Sequence, residues 1–249
     1  MKYFLAAIAF VLPIGLCYAA SPGRTPVVVE LFTSEGCSSC PPADALLSKL
    51  DRDQPVAGAR IIALEEHVDY WDHQGWRDPF SSSLITARQQ QFGAALHVDN
   101  IYTPEMVIDG RREFVGNDSQ RAFDEISKAA GESMMPIQLA VKDLSAGRAV
   151  IAVNMTAPGR PAELLLAVTE TGLASDVQAG ENAGRSLKHS AVVRRLSVIG
   201  KLKPGEPFSA QPVIKLSKAW KPENIRAVVL AADRTTGQIL GAEEIALSR

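Results

Sequence analysis

Apolar residues of the first half fall into alternating strand-like and helix-like segments. Residues 26–33 are apolar on both faces, as in a central strand covered by helices. Ala43, Leu46, Leu47 and Leu50 then recur at helical spacing, which predicts an amphipathic helix ending near residues 51–54. The further elements predicted in this half are a strand at about 59–69, a helix that begins at Asp78-Pro79, a strand at 106–108, a hairpin turn at Asp109-Gly110, a returning strand at 111–115 and a helix capped by Ser119.

From Pro136 onward the pattern changes to short β-rich segments separated by Gly, Pro or charged turns. Regular spacing of this kind is typical of an antiparallel sandwich. Gly131 to Met135 is the predicted linker. The predicted strands lie near 137–144, 148–156, 163–170, 187–199, 211–218, 225–232 and 238–247.

The order of elements in the first half is strand, helix, strand, helix, strand, hairpin strand, helix. This order matches the minimal thioredoxin core. The predicted fold class is therefore an α/β thioredoxin-like domain at 21–131, followed by an all-β antiparallel sandwich domain at 136–249. A chain of 249 residues, 46% of them apolar, is long enough for two domains that each bury a core.

The first 20 residues predict a signal peptide. Lys2 supplies a positive start, residues 4–16 are apolar, and residues 17–20 form a small-residue exit. We expect cleavage near Ala19 or Ala20, a secreted or periplasmic protein, and no stable membrane span afterwards. A lipid anchor on Cys17 is the alternative, although the bulky Leu16 before it is unfavourable.

The formal net charge of -2, without a basic run, argues against nucleic-acid binding.

Removal of that segment leaves Cys37 and Cys40, spaced Cys-x-x-Cys where the first strand turns at Gly36 into a helix. Free N–H groups and the positive end of the helix dipole favour a thiolate at such a junction. We predict that Cys37 is the nucleophile, because it would lie at the helix N-terminus. Cys40, one turn inside the helix, would resolve the mixed disulfide.

Three further groups complete the predicted site. Pro104 opens an apolar run, which is unusual in a central strand and predicts a cis Thr103-Pro104 bond against the cysteines. Glu30 is either a proton acceptor for Cys40 or an acid at the sheet margin. The predicted substrate-binding residues are Trp71, Trp76 and Tyr102; the alternative for the aromatic loop at 70–80 is a small satellite core.

Five segments of the chain resemble a known family: 29–44 around the cysteines, 67–72, 76–80, 86–89 and 102–107. They are similar to the secreted thioredoxin-like family catalogued as domain of unknown function 1223, and the resemblance covers most of the chain after the leader. It implies a thioredoxin-like fold and export, but it supplies no substrate.

Against the wider thioredoxin superfamily, Cys37 and Cys40 match the redox pair, and Thr103-Pro104 matches the cis-proline. Gly36 replaces the usual aromatic residue. Glu30 lies one residue further from the first cysteine than the buried acid of thioredoxin.

The main functional hypothesis is an exported thiol–disulfide oxidoreductase that acts on exported protein thiols or disulfides, with a membrane-bound electron donor and without a cofactor. No residue is assigned as a metal ligand under it. One alternative is a non-catalytic interaction protein with a structural disulfide. The other is a copper-binding or copper-delivery protein that uses the cysteine pair with a histidine. The histidines available are His67, His73, His97 and His189, and His67 and His73 are preferred because they flank the aromatic loop. The polar loop 180–185 is either an ordinary loop or a contact to the first half or a partner.

Overall fold

Strands dominate the part of the chain that the computed structural model describes, residues 23–145 and 147–248. The predicted signal peptide at 1–20 lies outside these residues. In the described ranges the α-helices are α1 (Pro41–Asp53), α2 (Ser83–Leu96) and α3 (Ser119–Ala130). None of the helices in these ranges is long and apolar enough to cross a membrane.

The strands of the described ranges form three sheets. They are β1 (Thr25–Thr33), β2 (Ala59–His67), β3 (Glu105–Ile108), β4 (Arg112–Val115), β5 (Gln138–Ser145), β6 (Arg148–Thr156), β7 (Ala162–Glu170), β8 (Leu173–Asp176), β9 (Ser186–His189), β10 (Val192–Leu202), β11 (Pro207–Ala210), β12 (Val213–Lys215), β13 (Ile225–Asp233) and β14 (Ile239–Ala246).

Local chemistry explains where the elements of the first half begin. Helix α1 starts with two prolines, which cost little in a first turn because those N–H groups have no helical partner. Helix α2 starts at Ser83, where the Ser82 side chain accepts a hydrogen bond from the backbone N–H of Leu84. The predicted start at Asp78-Pro79 is therefore wrong. Asp109 and Gly110 have φ of +52° and +63°, as the predicted hairpin turn requires.

One mixed sheet of eight strands, in the order β14-β13-β7-β10-β2-β1-β3-β4, runs through both halves of the chain. Strands β1 and β2 are parallel, whereas β3 is antiparallel to β1. The two halves meet where β10 pairs with β2, in parallel, with Val192 opposite Glu65. A backbone hydrogen bond of 2.9 Å from Glu65 to Ala191 closes this junction.

This continuous sheet shows that the predicted fold class is wrong. A thioredoxin-like α/β domain followed by a separate sandwich would end the first sheet at β2, leaving an open edge. Instead β10 covers that edge and carries β7, β13 and β14 with it. The predicted strands of the second half are largely present, but most of them extend the first sheet. The described protein is mostly β, with short helices on a large mixed sheet.

Three apolar cores cover the faces of the large sheet. Helices α1 and α3 pack on β1 and β2 through residues such as Leu47 and Ile126. Strands β5 and β6 pack on one face of β7 and β13, with Ile151 and Leu166 among the buried residues. The third core lies under α2 and joins residues of both halves, including Leu64, Phe92, Leu165 and Leu230. A core built from both halves makes their stabilities interdependent.

We therefore expect Leu64→Ala and Leu230→Ala to destabilise the same unit. Each side chain is fully buried, one in β2 and one in β13, and truncation of such a leucine costs about 2–5 kcal/mol. Mass spectrometry can follow the amide hydrogen exchange that occurs through global unfolding in peptides covering 59–67 and 225–233. Either variant should increase the exchange rate by the same factor in both peptides. Faster exchange in only the mutated half would show that the halves fold independently.

Candidate functional site

The cysteine pair lies in the turn between β1 and α1. Cys37 and Cys40 form a disulfide with their Cα atoms 5.4 Å apart. Because α1 begins at Pro41, Cys40 is the N-cap and Cys37 lies in the turn before the helix. Cys37 is 1% exposed and Cys40 is fully buried, whereas Ser38 and Ser39 between them are exposed. Only the middle of the turn therefore reaches solvent.

The predicted cis-proline is confirmed, and it borders the disulfide. The Thr103-Pro104 peptide bond is cis, and the Thr103 carbonyl oxygen lies 3.8 Å from Cys37 Sγ. Trp71 Nε1 donates a hydrogen bond of 2.9 Å to Thr103 Oγ1. Gly116 lies directly behind, because a Cβ atom there would be 2.7 Å from Leu31 and 3.2 Å from Pro104. The loop and the cysteine turn are thus packed together.

The aromatic residues predicted to bind substrate are half-buried. Trp71 packs against Gly36, where an added Cβ would approach the Trp71 Cβ to 3.0 Å, so a larger residue would crowd this turn. Trp76 Nε1 donates a 2.8 Å hydrogen bond to Glu35, and the Tyr102 hydroxyl donates to Glu113. Their polar groups all bind within the protein. Substrate binding by these residues stays a prediction.

Glu30 lies on the face of the sheet opposite α1 and the cysteines. Its neighbours Val29 and Leu31 pack on the α1 side, so the alternation of the strand directs Glu30 toward α2. There its carboxylate accepts a 2.6 Å hydrogen bond from Arg88. Arg88 also lies 3.6 Å from Glu66, whose pKa burial and the charge of Glu30 raise well above its usual value. The structure does not bring Glu30 to Cys40.

A buried chain of charged side chains lies beneath the cysteine turn. His189 Nε2 is 3.1 Å from Glu35 Oε1, and His189 Nδ1 is 2.5 Å from Glu65 Oε1. The same Glu65 oxygen is 3.3 Å from His67 Nε2, and His67 Nδ1 is 2.7 Å from Asp78 Oδ2. Asp78 in turn accepts a 2.8 Å hydrogen bond from the backbone N–H of Glu35. The chain therefore starts and ends at the residue two positions before Cys37.

The pairing of these groups determines their pKa values. Burial opposes the charged imidazoles, but the hydrogen bonds to Glu35 and Glu65 raise the pKa of His189 to about 9. Asp78 and Glu65 raise the pKa of His67 against the same opposition. Burial alone would raise the pKa values of Glu65 and Asp78, but hydrogen bonds and charge interactions with the histidines lower both. Both imidazoles are therefore cations bracketed by carboxylates.

Asp44 is a further buried carboxyl group beside this chain. It lies in α1, one turn after Cys40, and accepts a 2.7 Å hydrogen bond from the Thr33 hydroxyl. Burial and the charge of Glu65 raise the pKa of Asp44 to about 7. Its side chain also lines a cavity of about 420 Å³ between α1 and β9, with Ser48, Arg52 and Leu187 among the lining residues. Asp44 thus connects the buried charges to a cavity.

The polar loop at 180–185 contacts the cysteine turn, as one of its two predicted roles required. The buried Asn182 side chain donates to the carbonyl oxygens of Glu35, at 2.8 Å, and Cys37, at 2.9 Å. Glu181 accepts a 3.1 Å hydrogen bond from the backbone N–H of Ser38, and hydrogen bonding from the side chain and backbone of Ser38 lowers the pKa of its carboxyl group. A loop from the second half therefore holds the turn in place.

The sequence did not place Glu35, Asp44, Glu65 and Asp78 at the site. Asn182 belongs to the polar loop for which a contact with the first half was one of the two predicted roles, and His189 was one of four histidines considered for a metal site, behind His67 and His73. Glu65 could have been found from the sequence, because it directly follows the apolar run 61–64 in the same predicted strand. A carboxylate buried in such a strand requires a hydrogen-bond partner. His189 carries no local signal, since it reaches the site only through the pairing of β8 with β9 and of β10 with β2. His73, proposed from sequence as a metal candidate, lies exposed on its loop, whereas His67 is buried.

Glu105, which follows Pro104, makes the stability dependent on pH. Its carboxylate accepts a 2.6 Å hydrogen bond from Gln89, and burial raises its pKa from 4.5 to about 7, with a contribution from Glu113. Between these two values the unfolded chain has lost a proton that the folded chain retains, so stability falls as pH rises. Glu105→Gln keeps an oxygen that accepts the hydrogen bond from Gln89, and it removes this contribution to the loss of stability at higher pH.

The free energy of unfolding, measured with urea, should decrease less between pH 4.5 and pH 8 for Glu105→Gln than for the wild type. The difference between the two decreases should be about 3 kcal/mol at most. Glu223→Gln, at an exposed position in the turn before β13, is the matched control and should follow the wild type. Parallel curves for Glu105→Gln and the wild type would contradict a buried, protonated Glu105.

Among solved structures, the chain is similar to Protein AGR_C_4864 from Agrobacterium tumefaciens, known from an X-ray crystal structure. The two share 27% sequence identity and a TM-score of 0.70, over 91% of this chain and 96% of that one. Bacteroides uniformis β-glucuronidase 2 matches with 18% identity and a TM-score of 0.22, over 43% of this chain and 12% of that one, which is too low to support any conclusion. No curated protein sequence matches significantly.

The family described as "Protein of unknown function (DUF1223)" matches residues 28–232. This range begins in β1 and ends in β13, so it includes the cysteine turn, the cis-proline, the buried histidines and the loop at 180–185. The match covers well over half of the chain. The protein therefore belongs to the DUF1223 family, as the sequence resemblance predicted.

Proposed function

We propose that the protein is an exported thiol–disulfide oxidoreductase that acts through Cys37 and Cys40. The observation that carries this proposal is the contact between the Cys37–Cys40 disulfide and the carbonyl oxygen of Thr103, at 3.8 Å from Cys37 Sγ. Ser39 Oγ lies 3.3 Å from Cys37 Sγ, and its hydroxyl can donate a hydrogen bond to Cys37 when that sulfur is a thiolate. A hydrogen-bond donor of this kind stabilises the thiolate that would attack a substrate disulfide.

The proposed reaction exchanges two electrons between dithiol and disulfide. The reduced Cys37 thiolate attacks one sulfur of a substrate disulfide, which breaks the substrate S–S bond and releases one substrate thiolate. Cys40, as a thiolate, then attacks Cys37 Sγ and releases the second substrate thiolate. The substrate is reduced and the pair is oxidised. A dithiol reductant, such as a membrane-bound electron donor, restores the pair by the reverse exchange.

The proposed substrates are exported proteins. The N-terminal residues carry the composition of a secretory signal, and disulfides persist in the compartments that such signals lead to. A solvent-facing Ser38 and Ser39 between two buried cysteines offers only a narrow approach. An extended segment of a substrate protein would fit this approach better than a folded surface.

A second candidate function is a structural disulfide in a non-catalytic interaction protein. The observation that favours it is burial: Cys37 is 1% exposed, and Asn182 binds its carbonyl oxygen from above the turn. A buried sulfur exchanges slowly because the attacking thiolate cannot reach it. The two candidates differ in how the disulfide responds to reductants in the native state.

The equilibrium reduction potential of Cys37–Cys40 separates these candidates. Under the proposed function, defined glutathione buffers should give a value above about -230 mV, in the range of redox catalysts. Thiol alkylation with intact-mass detection reports the reduced fraction. A value below about -300 mV, typical of structural bonds, would contradict the oxidoreductase and support the structural role.

Asn182→Ala should make the disulfide easier to reach. It removes two buried hydrogen bonds that hold the cysteine turn, and their loss should increase the rate of reduction by dithiothreitol by about 10-fold or more. Gln178→Ala is the control, because Gln178 is an exposed residue of the same region whose side chain donates a hydrogen bond to the Asp176 carbonyl oxygen and not to the cysteine turn. Equal rates for the two variants, with both folded by circular dichroism, would show that the loop does not limit exchange.

A further inference from the structure

Three buried side chains from two distant parts of the chain direct ligand atoms at one point. Glu65 and His67 come from β2, and His189 ends β9. Each offers one ligand atom, and these atoms all lie within 4.8 Å of one another. The two imidazole rings have their centroids 4.9 Å apart. Two imidazole nitrogens and a carboxylate oxygen are a donor set that binds Zn²⁺.

The opposite nitrogen of each histidine is bound to a second carboxylate. His67 Nδ1 is 2.7 Å from Asp78, and His189 Nε2 is 3.1 Å from Glu35. A histidine that binds a metal almost always donates its other N–H to such a group, which fixes the ring and increases its basicity. Both histidines of one cluster show this arrangement here.

The supporting carboxylates are themselves held in place. Asp78 accepts hydrogen bonds from the backbone N–H groups of Glu35 and Phe80, and Glu35 accepts one from Trp76. The second oxygen of Glu65 accepts a 2.7 Å hydrogen bond from the Ser190 N–H. This leaves Glu65 Oε1, the oxygen between the histidines, as the ligand atom. The cluster is thus organised around one central position.

The carboxylates around the cluster suit a divalent cation. Each imidazole lies within hydrogen-bond distance of a carboxylate oxygen at both ring nitrogens. These carboxylates would compensate the charge of an ion buried between the rings.

The distances are close to those of a tetrahedral site. Bonds of about 2.0–2.1 Å would place neighbouring ligand atoms about 3.3 Å apart. Glu65 Oε1 and His67 Nε2 are already 3.3 Å apart. The contact between Glu65 Oε1 and His189 Nδ1, at 2.5 Å, has to widen by about 0.8 Å. The two imidazole nitrogens, which lie within 4.8 Å of each other, would also have to reach a separation of about 3.3 Å, so ion binding requires the side chains to shift.

We propose that Glu65, His67 and His189 bind a Zn²⁺ ion through the three ligand atoms that lie within 4.8 Å of one another, with a water molecule at the fourth position, as in other zinc sites with three protein ligands. The ion would join β2 to β9 and, through Glu35 and Asp78, would stabilise the turn that carries Cys37.

This site is independent of the cysteine pair, and the disulfide makes the test specific. Sulfur atoms in an intact Cys37–Cys40 disulfide cannot act as thiolate ligands. The full chain is therefore purified oxidised, stripped with EDTA, and dialysed against buffered Zn²⁺. We expect one zinc ion per chain, and X-ray absorption should show nitrogen and oxygen ligands near 2.0–2.1 Å without a sulfur shell near 2.3 Å.

Variants assign the ion to its ligands. His189→Gln and His67→Gln should weaken Zn²⁺ binding by about 100-fold or more, and Asp78→Asn by about 10–100-fold. His73→Gln is the matched control, because this histidine is exposed on the neighbouring loop, and it should bind like the wild type. If a ligand variant does not fold, stoichiometry and X-ray absorption on the wild type decide.

Three results would overturn the proposal. The first is substoichiometric zinc on the oxidised wild type at saturating free Zn²⁺. The second is a sulfur shell in the absorption spectrum. The third is stoichiometric zinc that folded His67→Gln and His189→Gln variants retain, since the ion would then lie elsewhere. The reduction potential of the cysteine pair is measured separately, so failure of the redox function would leave the zinc result unchanged.

Discussion

A carboxylate buried between two strands costs several kcal/mol unless its oxygens are hydrogen-bonded. Glu65 is such a group, and its side chain and backbone bind different parts of the chain. The side chain binds His67, His189 and the backbone of Ser190. The backbone lies opposite Val192, at the pairing that joins the halves of the large sheet. The charged chain and the continuous sheet therefore depend on the same residue.

Alternation along β2 explains why the protein has two separate charged networks. Adjacent residues of a strand point to opposite faces, so Glu65 faces α1 while Glu66 faces α2. On the α2 side, Arg88 lies between Glu30 and Glu66, and one oxygen of Glu30 and both of Glu66 lack a hydrogen-bond partner among the described residues. On the α1 side, the oxygens of Glu65 are bound. Of these two networks, the one on the α1 side, around Glu65, is the one that reaches the cysteine turn.

The sequence predicted most local elements, because each depends on neighbours a few residues away, but the helix starts were less accurate: Asp118, not the predicted Ser119, caps α3. Periodicity located α1, the hairpin followed from Asp109-Gly110, and Pro104 before an apolar run indicated the cis bond that the structure contains. The fold class was wrong because the decisive pairing, β10 with β2, joins residues that are 127 positions apart at Val192 and Glu65. No periodicity records such a pairing. The same limit hid His189 from the predicted site.

The surroundings of Cys37 bear on the direction of the proposed exchange. Pro41 and Pro42 supply no N–H groups at the start of α1, and the next two N–H groups bind the Cys40 carbonyl oxygen, so the helix offers few donors to a thiolate. The carboxylate of Glu181 instead accepts a hydrogen bond from the backbone N–H of Ser38 in the turn. Negative charges disfavour a thiolate, and a less stable thiolate gives up its electrons more readily. Under the proposed function, the small number of helix donors and the charge of Glu181 favour reduction of the substrate over its oxidation.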